Sequence, residues 1–233
     1  MKLFLVLFVA SFIVLFINGC ESKQQRQEQL RKAATTDSLQ KATNDSLKQI
    51  KIKVLKERID SLKTKFDYTT DVEDFTNIFW YEPKNIPEKE AVVTFEGSIA
   101  HVSHHYIKPM IYSSGMLCIR SFYRDENWLY HQSISASING KIIQSRVVPL
   151  DNERNKEKQV KGWYDVKEEI FFNSYEDNGI LEAIALSDKH AYIEIKFSGE
   201  HENKIFSLTK KEIQAIKDSY ELSNLLREIG GLE

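Results

Sequence analysis

The chain has 233 residues, 42% of them apolar and 11% aromatic, which is enough for a packed domain and excludes a disordered or collagen-like chain. Its net charge of -2 hides an uneven distribution: residues 21–66 carry twelve Lys and Arg against six Asp and Glu, and residues 67–233 carry nineteen against twenty-eight. The acidic larger part argues against a nucleic-acid-binding domain, which would present a basic face.

In chain order the first element is an export signal. Lys2 is followed by fifteen residues, 3–17, broken only by Ser11, and then by Asn18-Gly19-Cys20. A charged start, an apolar centre and a small residue before the cut suit the secretion machinery, and the run falls short of the roughly 20 residues that span a bilayer comfortably. Ile17-Asn18-Gly19-Cys20 resembles the lipobox of bacterial lipoproteins. That resemblance implies diacylglycerol on the Cys20 sulfur, cleavage after Gly19, and a mature chain held in the bilayer by acyl chains such as palmitate, at about 0.8 kcal/mol per buried methylene. The competing reading is an uncleaved signal anchor with Cys20 incidental; the short run and its Gly-Cys end weigh against it.

Residues 21–66 lack Pro and Gly, contain one aromatic, Phe66, and are dense in helix formers. Ile52, Leu55, Ile59, Leu62 and Phe66 repeat at spacings of 3, 4, 3 and 4, an apolar stripe along one helix face. Upstream, Leu30, Leu39 and Leu47 stand far apart and Thr35-Thr36-Asp37 reads as an interruption. The expectation is a polar, flexible tether to about residue 36, then a helix to Phe66, the whole acting as a spacer between bilayer and domain. The 52–66 stripe lies on the chain's own domain or pairs weakly with a second copy as a short coiled coil. A lysine-rich helix face is read first as solvated and second as an aid to holding anionic lipid.

From residue 67 the pattern becomes β-rich. Residues 69–74 read as a turn, and strands follow at 78–81, 91–96, 115–124 and 128–138, the last ending in Asn139-Gly140, the strongest hairpin signal in the chain. Residues 151–161 read as a charged loop. Core patterning returns at 162–166 and 170–172, with a short helix at 179–186 and strands at 191–197 and 204–208. Thr209 with Glu212 makes a capping box opening a last helix, and Gly230-Gly231 stops it. The sum is an α+β fold with an antiparallel, sandwich-like β domain over 67–233 and a C-terminal helix, preceded by a signal peptide over 1–19 and a lipidated spacer over 20–66.

The order of "IFWYEPK" from Ile78, a strand at Trp128-Leu129, the Asn139-Gly140 hairpin, "WYDV" at Trp163, "LEAIALSDKHAYIEIKFSG" and "LTKKEIQAIKDSYEL" resembles an uncharacterised family of small β-rich domains. Such domains occur in bacterial lipoproteins, secreted proteins and phage-borne genes. The resemblance implies a fold and carries over no functional residue.

Candidate chemistry is sparse. His101, His104 and His105 place at most two imidazoles on one strand face, fewer than zinc requires, and read as an exposed or edge-strand group. Trp80, Tyr81, Trp163 and Tyr164 are candidates for an aromatic binding surface, although strand aromatics more often fill a core. Glu168-Glu169 and Glu176-Asp177 read as solvated carboxylates, and Cys118 as a small buried hydrophobe. No motif places a nucleophile with a base, so the reading has no catalytic residue, metal or cofactor. It is a cell-envelope lipoprotein anchored through acylated Cys20 that presents a protein-interaction domain without nucleic acid. The alternatives are a prophage or mobile-element lipoprotein acting in superinfection exclusion or toxin immunity, and an envelope hydrolase.

Overall fold

The computed structural model describes residues 2–73, 76–84, 86, 93–95, 98–100, 104–152, 158–160 and 166–232, with side chains described at 23, 25–68, 81–84, 86, 104–152 and 166–232. The elements are helix α1 (Lys2–Lys63), strands β1 (Phe66–Glu73), β2 (Thr76–Pro83), β3 (Val93–Phe95), β4 (Ser98–Ala100), β5 (His104–Tyr112), β6 (Leu117–Asp125), β7 (Ser133–Ile138), β8 (Lys141–Gln144), β9 (Lys158–Val160) and β10 (Val166–Phe172), helix α2 (Ile180–Ala185), strands β11 (Ile193–Ser198) and β12 (Asn203–Ser207), and helix α3 (Lys210–Gly230). The chain divides into two compact units, Met1–Val54 and Leu55–Glu233.

In the first unit the expected flexible tether is instead continuous helix. No Gly or Pro interrupts 21–54, and the suspected break at Thr35-Thr36 is absorbed because both hydroxyls donate to the carbonyls one turn back, Arg31 and Lys32, at 2.9 Å. Every described side chain from 23 to 51 is exposed, including Leu30, Leu39, Leu47 and Ile50.

The second unit opens with the last turns of α1. Leu55, Ile59, Leu62 and Phe66 are buried, and the last three form a cluster with Ile111 of β5 and Leu222 of α3. The stripe that the sequence offers to a second copy is therefore filled from within the chain. Burying each such side chain stabilises by about 1.5–3 kcal/mol, enough to fix these turns on the domain.

Antiparallel pairing builds a six-stranded sheet, β1-β2-β5-β6-β10-β9, a four-stranded sheet, β12-β11-β7-β8, and the separate hairpin β3-β4. The helix expected to reach Phe66 ends at Lys63, and residues 69–73, expected as a turn or one helical turn, are strand: Phe66 pairs opposite Pro83 and the ladder runs on to Glu73 opposite Thr76. The local polar content of 69–74 lost to partnership with the aromatic β2, a non-local pairing that a turn signal cannot report. The two larger sheets enclose one core, joining Ile107, Ile119, Tyr123 and Ile170 from the first with Ile134, Ala136, Ile195 and Phe197 from the second. On β7, Ile134 and Ala136 enter this core, while Ser133 and Ser135, on the strand's other face, are buried as well. Asn139 and Gly140 turn the β7–β8 hairpin with φ of 50° and 87°, the pair of positive values a two-residue turn of this kind needs.

α2 buries Ile180, Leu181 and Ile184 in the same core. α3 opens on the expected capping box: Thr209 Oγ1 accepts from the Glu212 N–H at 3.3 Å, and the Glu212 carboxylate accepts from the Thr209 N–H at 2.7 Å. Its Ile216 enters the main core, Leu222 packs with Ile111, and the Ser223 hydroxyl donates to the Gly115 carbonyl at 2.7 Å.

Candidate functional site

β6 and β10 are neighbours, with Ser121 opposite Ile170 and Tyr123 opposite Glu168. Strand alternation turns Ser121, Tyr123, Glu168 and Ile170 to the shared core and Arg120, Phe122 and Glu169 to the other face. The core thus receives a hydroxyl and a carboxylate, and His131 joins them from the segment before β7. Ser121 Oγ lies 2.9 Å from His131 Nε2, and His131 Nδ1 lies 2.9 Å from Glu168 Oε2. All three residues are 0% exposed.

A carboxylate only accepts hydrogen bonds, so Nδ1 carries a proton toward Glu168, and in the neutral ring the Ser121 hydroxyl donates to Nε2. Nucleophile, base and orienting acid are at the separations acyl-transfer enzymes use. The Ser121 hydroxyl is fully buried, on β6 between β5 and β10.

What Glu168 does is visible on its other bonds. Oε1 accepts the N–H groups of Leu129 and Tyr130 at 2.7 and 2.8 Å, and Oε2 accepts that of His131 at 2.9 Å. Burial would push this carboxyl up, but the hydrogen bonds from His131 and from the Tyr130 and His131 backbone outweigh it and hold it below its ordinary range. Three consecutive amides converge on one anion only if the chain bends sharply, and Tyr130 has a φ of 52°, a left-handed conformation uncommon for an aromatic residue. The strand expected over 128–138 therefore begins only at Ser133.

That bend displays Trp128 and Tyr130 side by side. Their rings stack at 5.6 Å between centroids with 21° between planes, both half-buried, and the exposed His201 meets the Tyr130 edge at 6.4 Å. The 199–202 turn is locked to the bend: the Glu200 N–H donates to the Leu129 carbonyl at 3.2 Å, and the Gln132 N–H to the Ser198 carbonyl at 3.0 Å. A Cβ on Gly199 would lie 2.0 Å from the Leu129 oxygen, so only glycine fits there. Glu126, Glu200 and Glu202, on the two segments joined here, are exposed. Asp125, at the end of β6, is engaged by Lys204 at 2.6 Å and lies 3.6 Å from His105.

The His105 side chain is only 8% exposed rather than at an open edge, because β5 lies inside the six-stranded sheet between β2 and β6. Its ring stacks on Tyr123 at 4.9 Å, and burial first, then the Lys204 charge, lower its pKa to about 4 against the pull of Asp125. His104 faces the opposite way, toward Tyr106 and Phe122, and His101 lies outside the described residues. Among the described residues no three His, Cys, Asp or Glu side chains converge as a metal site.

Glu168 and Glu169 are both buried, where the sequence suggested solvated carboxylates. Pairing with β6 turns one into the core and sets the other against Arg120, which grips it at 2.9 Å, and Lys167 at 2.8 Å. Beside them Lys108 pairs with Glu82. Asp177 is buried too, and accepts the Gly179 N–H at 3.1 Å ahead of α2. Cys118 is a buried free thiol that burial pushes up to about 11, away from thiolate chemistry.

Of the four aromatics expected as a binding surface, Tyr81 alone has a described side chain. Tyr81 packs against the cluster of Ile59, Leu62 and Phe66, and its ring lies 5.1 Å from that of Tyr68 with the planes tilted by 45°. The side chain of Trp80, and Trp163 and Tyr164 entirely, lie outside the described residues, as does the side chain of Cys20. Among the described residues no helix is long and apolar enough to cross a membrane. The stacked pair Trp128 and Tyr130 was legible only as an aromatic at every second position of a strand. No family model, no curated protein and no solved structure matches the chain.

Proposed function

We propose that this chain is a lipoprotein of the bacterial cell envelope, anchored through acyl chains on Cys20, whose β-rich unit binds another protein without catalysis. The observation that carries it is the run from Lys2 through an apolar centre to Ile17-Asn18-Gly19-Cys20. The binding role is supported by Trp128 and Tyr130, held half-exposed on a backbone bend whose stabilisation consumes a buried carboxylate. The experiment is radiolabelled palmitate feeding of cells expressing the wild type and Cys20→Ser, with fractionation of both. Label on the wild type alone, and release of Cys20→Ser from the membrane fraction, is the expected result; an unlabelled wild type rejects the anchor.

One observation favours a hydrolase as second reading: the Ser121–His131–Glu168 distances. The 0% exposure of Ser121 weighs against it. A fluorophosphonate probe that labels Ser121 would decide for the hydrolase.

A further inference from the structure

We propose that residues 36–54 of α1 lie along an anionic lipid surface with one apolar face down, an inference that rests on the lipoprotein reading above and gives the chain a second contact with the bilayer. A helix advances about 100° per residue, which brings Thr36, Leu39, Thr43, Leu47, Ile50 and Val54 into a single arc of about 80°. None of the six belongs to the buried set of Leu55, Ile59, Leu62 and Phe66. The four aliphatic members stand open, with Leu39 64%, Leu47 59%, Ile50 60% and Val54 58% exposed. The two threonine hydroxyls turn back on the helix and donate to the carbonyls of Lys32 and Leu39 at 2.9 Å, so they add little polarity to the arc.

Charge decides what covers this face. Residues 21–54 carry eight Lys and Arg against four Asp and Glu. Lys51 and Lys53 fall about 80° to either side of the centre of the arc, where a lysine stem can follow the apolar face while its ammonium group reaches a headgroup. Asp37 and Asp45 lie about 120° and 160° from that centre, away from the surface. An apolar stripe flanked by lysines, with its acids on the far side, suits the interface of anionic lipid. A second copy of the chain would bring the same positive surplus to the seam and is disfavoured by it. Cys20 stands on the same helix, so acyl chains there would deliver this face to the bilayer at high local concentration.

The test uses the full chain in phosphatidylcholine–phosphatidylglycerol vesicles at about 0.15 M salt. An NBD fluorophore is placed on Leu47→Cys in one preparation and on Asp45→Cys in another, and doxyl-labelled lipid serves as quencher. The unsubstituted chain, carried through the same labelling, is the blank for Cys20 and Cys118. Quenching several-fold stronger at position 47 than at 45 is expected, falling about threefold in phosphatidylcholine alone. Far-UV circular dichroism checks the helix, and Ile50→Cys against Lys41→Cys repeats the comparison if a first variant misfolds. Equal quenching on both faces, or none on either, overturns the proposal. Quenching at 47 that ignores lipid charge overturns it too. A blue shift at 47 that grows with the protein-to-lipid ratio, without doxyl quenching, would assign the face to a second copy and overturn it equally. An unquenched position 47 with palmitate on Cys20 removes the surface contact and leaves the anchor standing. Quenching at 47 without palmitate on Cys20 does the reverse.

Discussion

Histidine 105 and glutamate 168 sit in the same β-sandwich and answer acid differently. With an ordinary value of 6.5 and a folded value of about 4, His105 stays neutral in the native state while the unfolded chain takes up a proton. Its contribution is fully present above pH 6.5 and is lost as pH falls toward 4. Glu168 is depressed below its ordinary 4.5, so its contribution is present above that value and disappears at more acid pH. Stability should therefore decline in two stages on acidification. At about 1.4 kcal/mol per pKa unit, His105 accounts for about 2–3 kcal/mol of the first. Urea unfolding of wild type and His105→Phe between pH 7 and 4 is the measurement: the variant's curve should be flatter in that window. An unchanged slope would transfer the effect to another group. Neither residue revealed this from sequence. Glu168 looked like half of a solvated pair, and only the register of β10 against β6 sends it inward. Trp128 and Tyr130 were legible as aromatics two apart, but the left-handed bend between them depends on a carboxylate 38 residues away.

At the level of helices and strands, the patterns that rest on neighbours in sequence were readable. Asn139-Gly140, the Thr209–Glu212 box and the 3-4-3-4 stripe of α1 each appear where the residues place them. The missed elements are those decided by a partner far along the chain. β1 exists because β2 pairs with it, and β5 carries Lys108 on one face and Pro109 on the other, residues that a local strand signal disfavours. The α1 stripe also shows how periodicity alone leaves the partner open, since the same spacing serves a coiled coil or a docked helix. Leu62, 2% exposed beside Phe66, Ile111 and Leu222, decides between them. Leu62→Ala should cost about 2–4 kcal/mol in thermal or urea unfolding at every protein concentration. A cost that grows on dilution would instead indicate that the stripe binds a second copy.

On the scale of the whole chain, two units with different prospects share one helix. Residues 23–51 expose every described side chain, so little burial supports this stretch of helix. From Leu55 onward, burial and the Arg58–Glu221 ion pair at 2.7 Å hold the turns in place. Brief trypsin treatment should therefore cut after Lys51, Lys53 or Lys56 and leave a persistent fragment that retains residues 59–66. N-terminal sequencing of that fragment is the check, and a stable product starting at Phe66 or later would contradict the docking of α1. The boundary between polar spacer and β domain was drawn by sequence where the composition changes, at residue 66. Packing draws it about three helical turns earlier, because the apolar face of an amphipathic segment belongs to whatever it covers.

The clasp of Glu168 on three successive amides, closed by a residue at 199 that tolerates no side chain, also constrains how such genes can drift. In any lineage carrying this sandwich, positions 168 and 199 should be lost together or not at all.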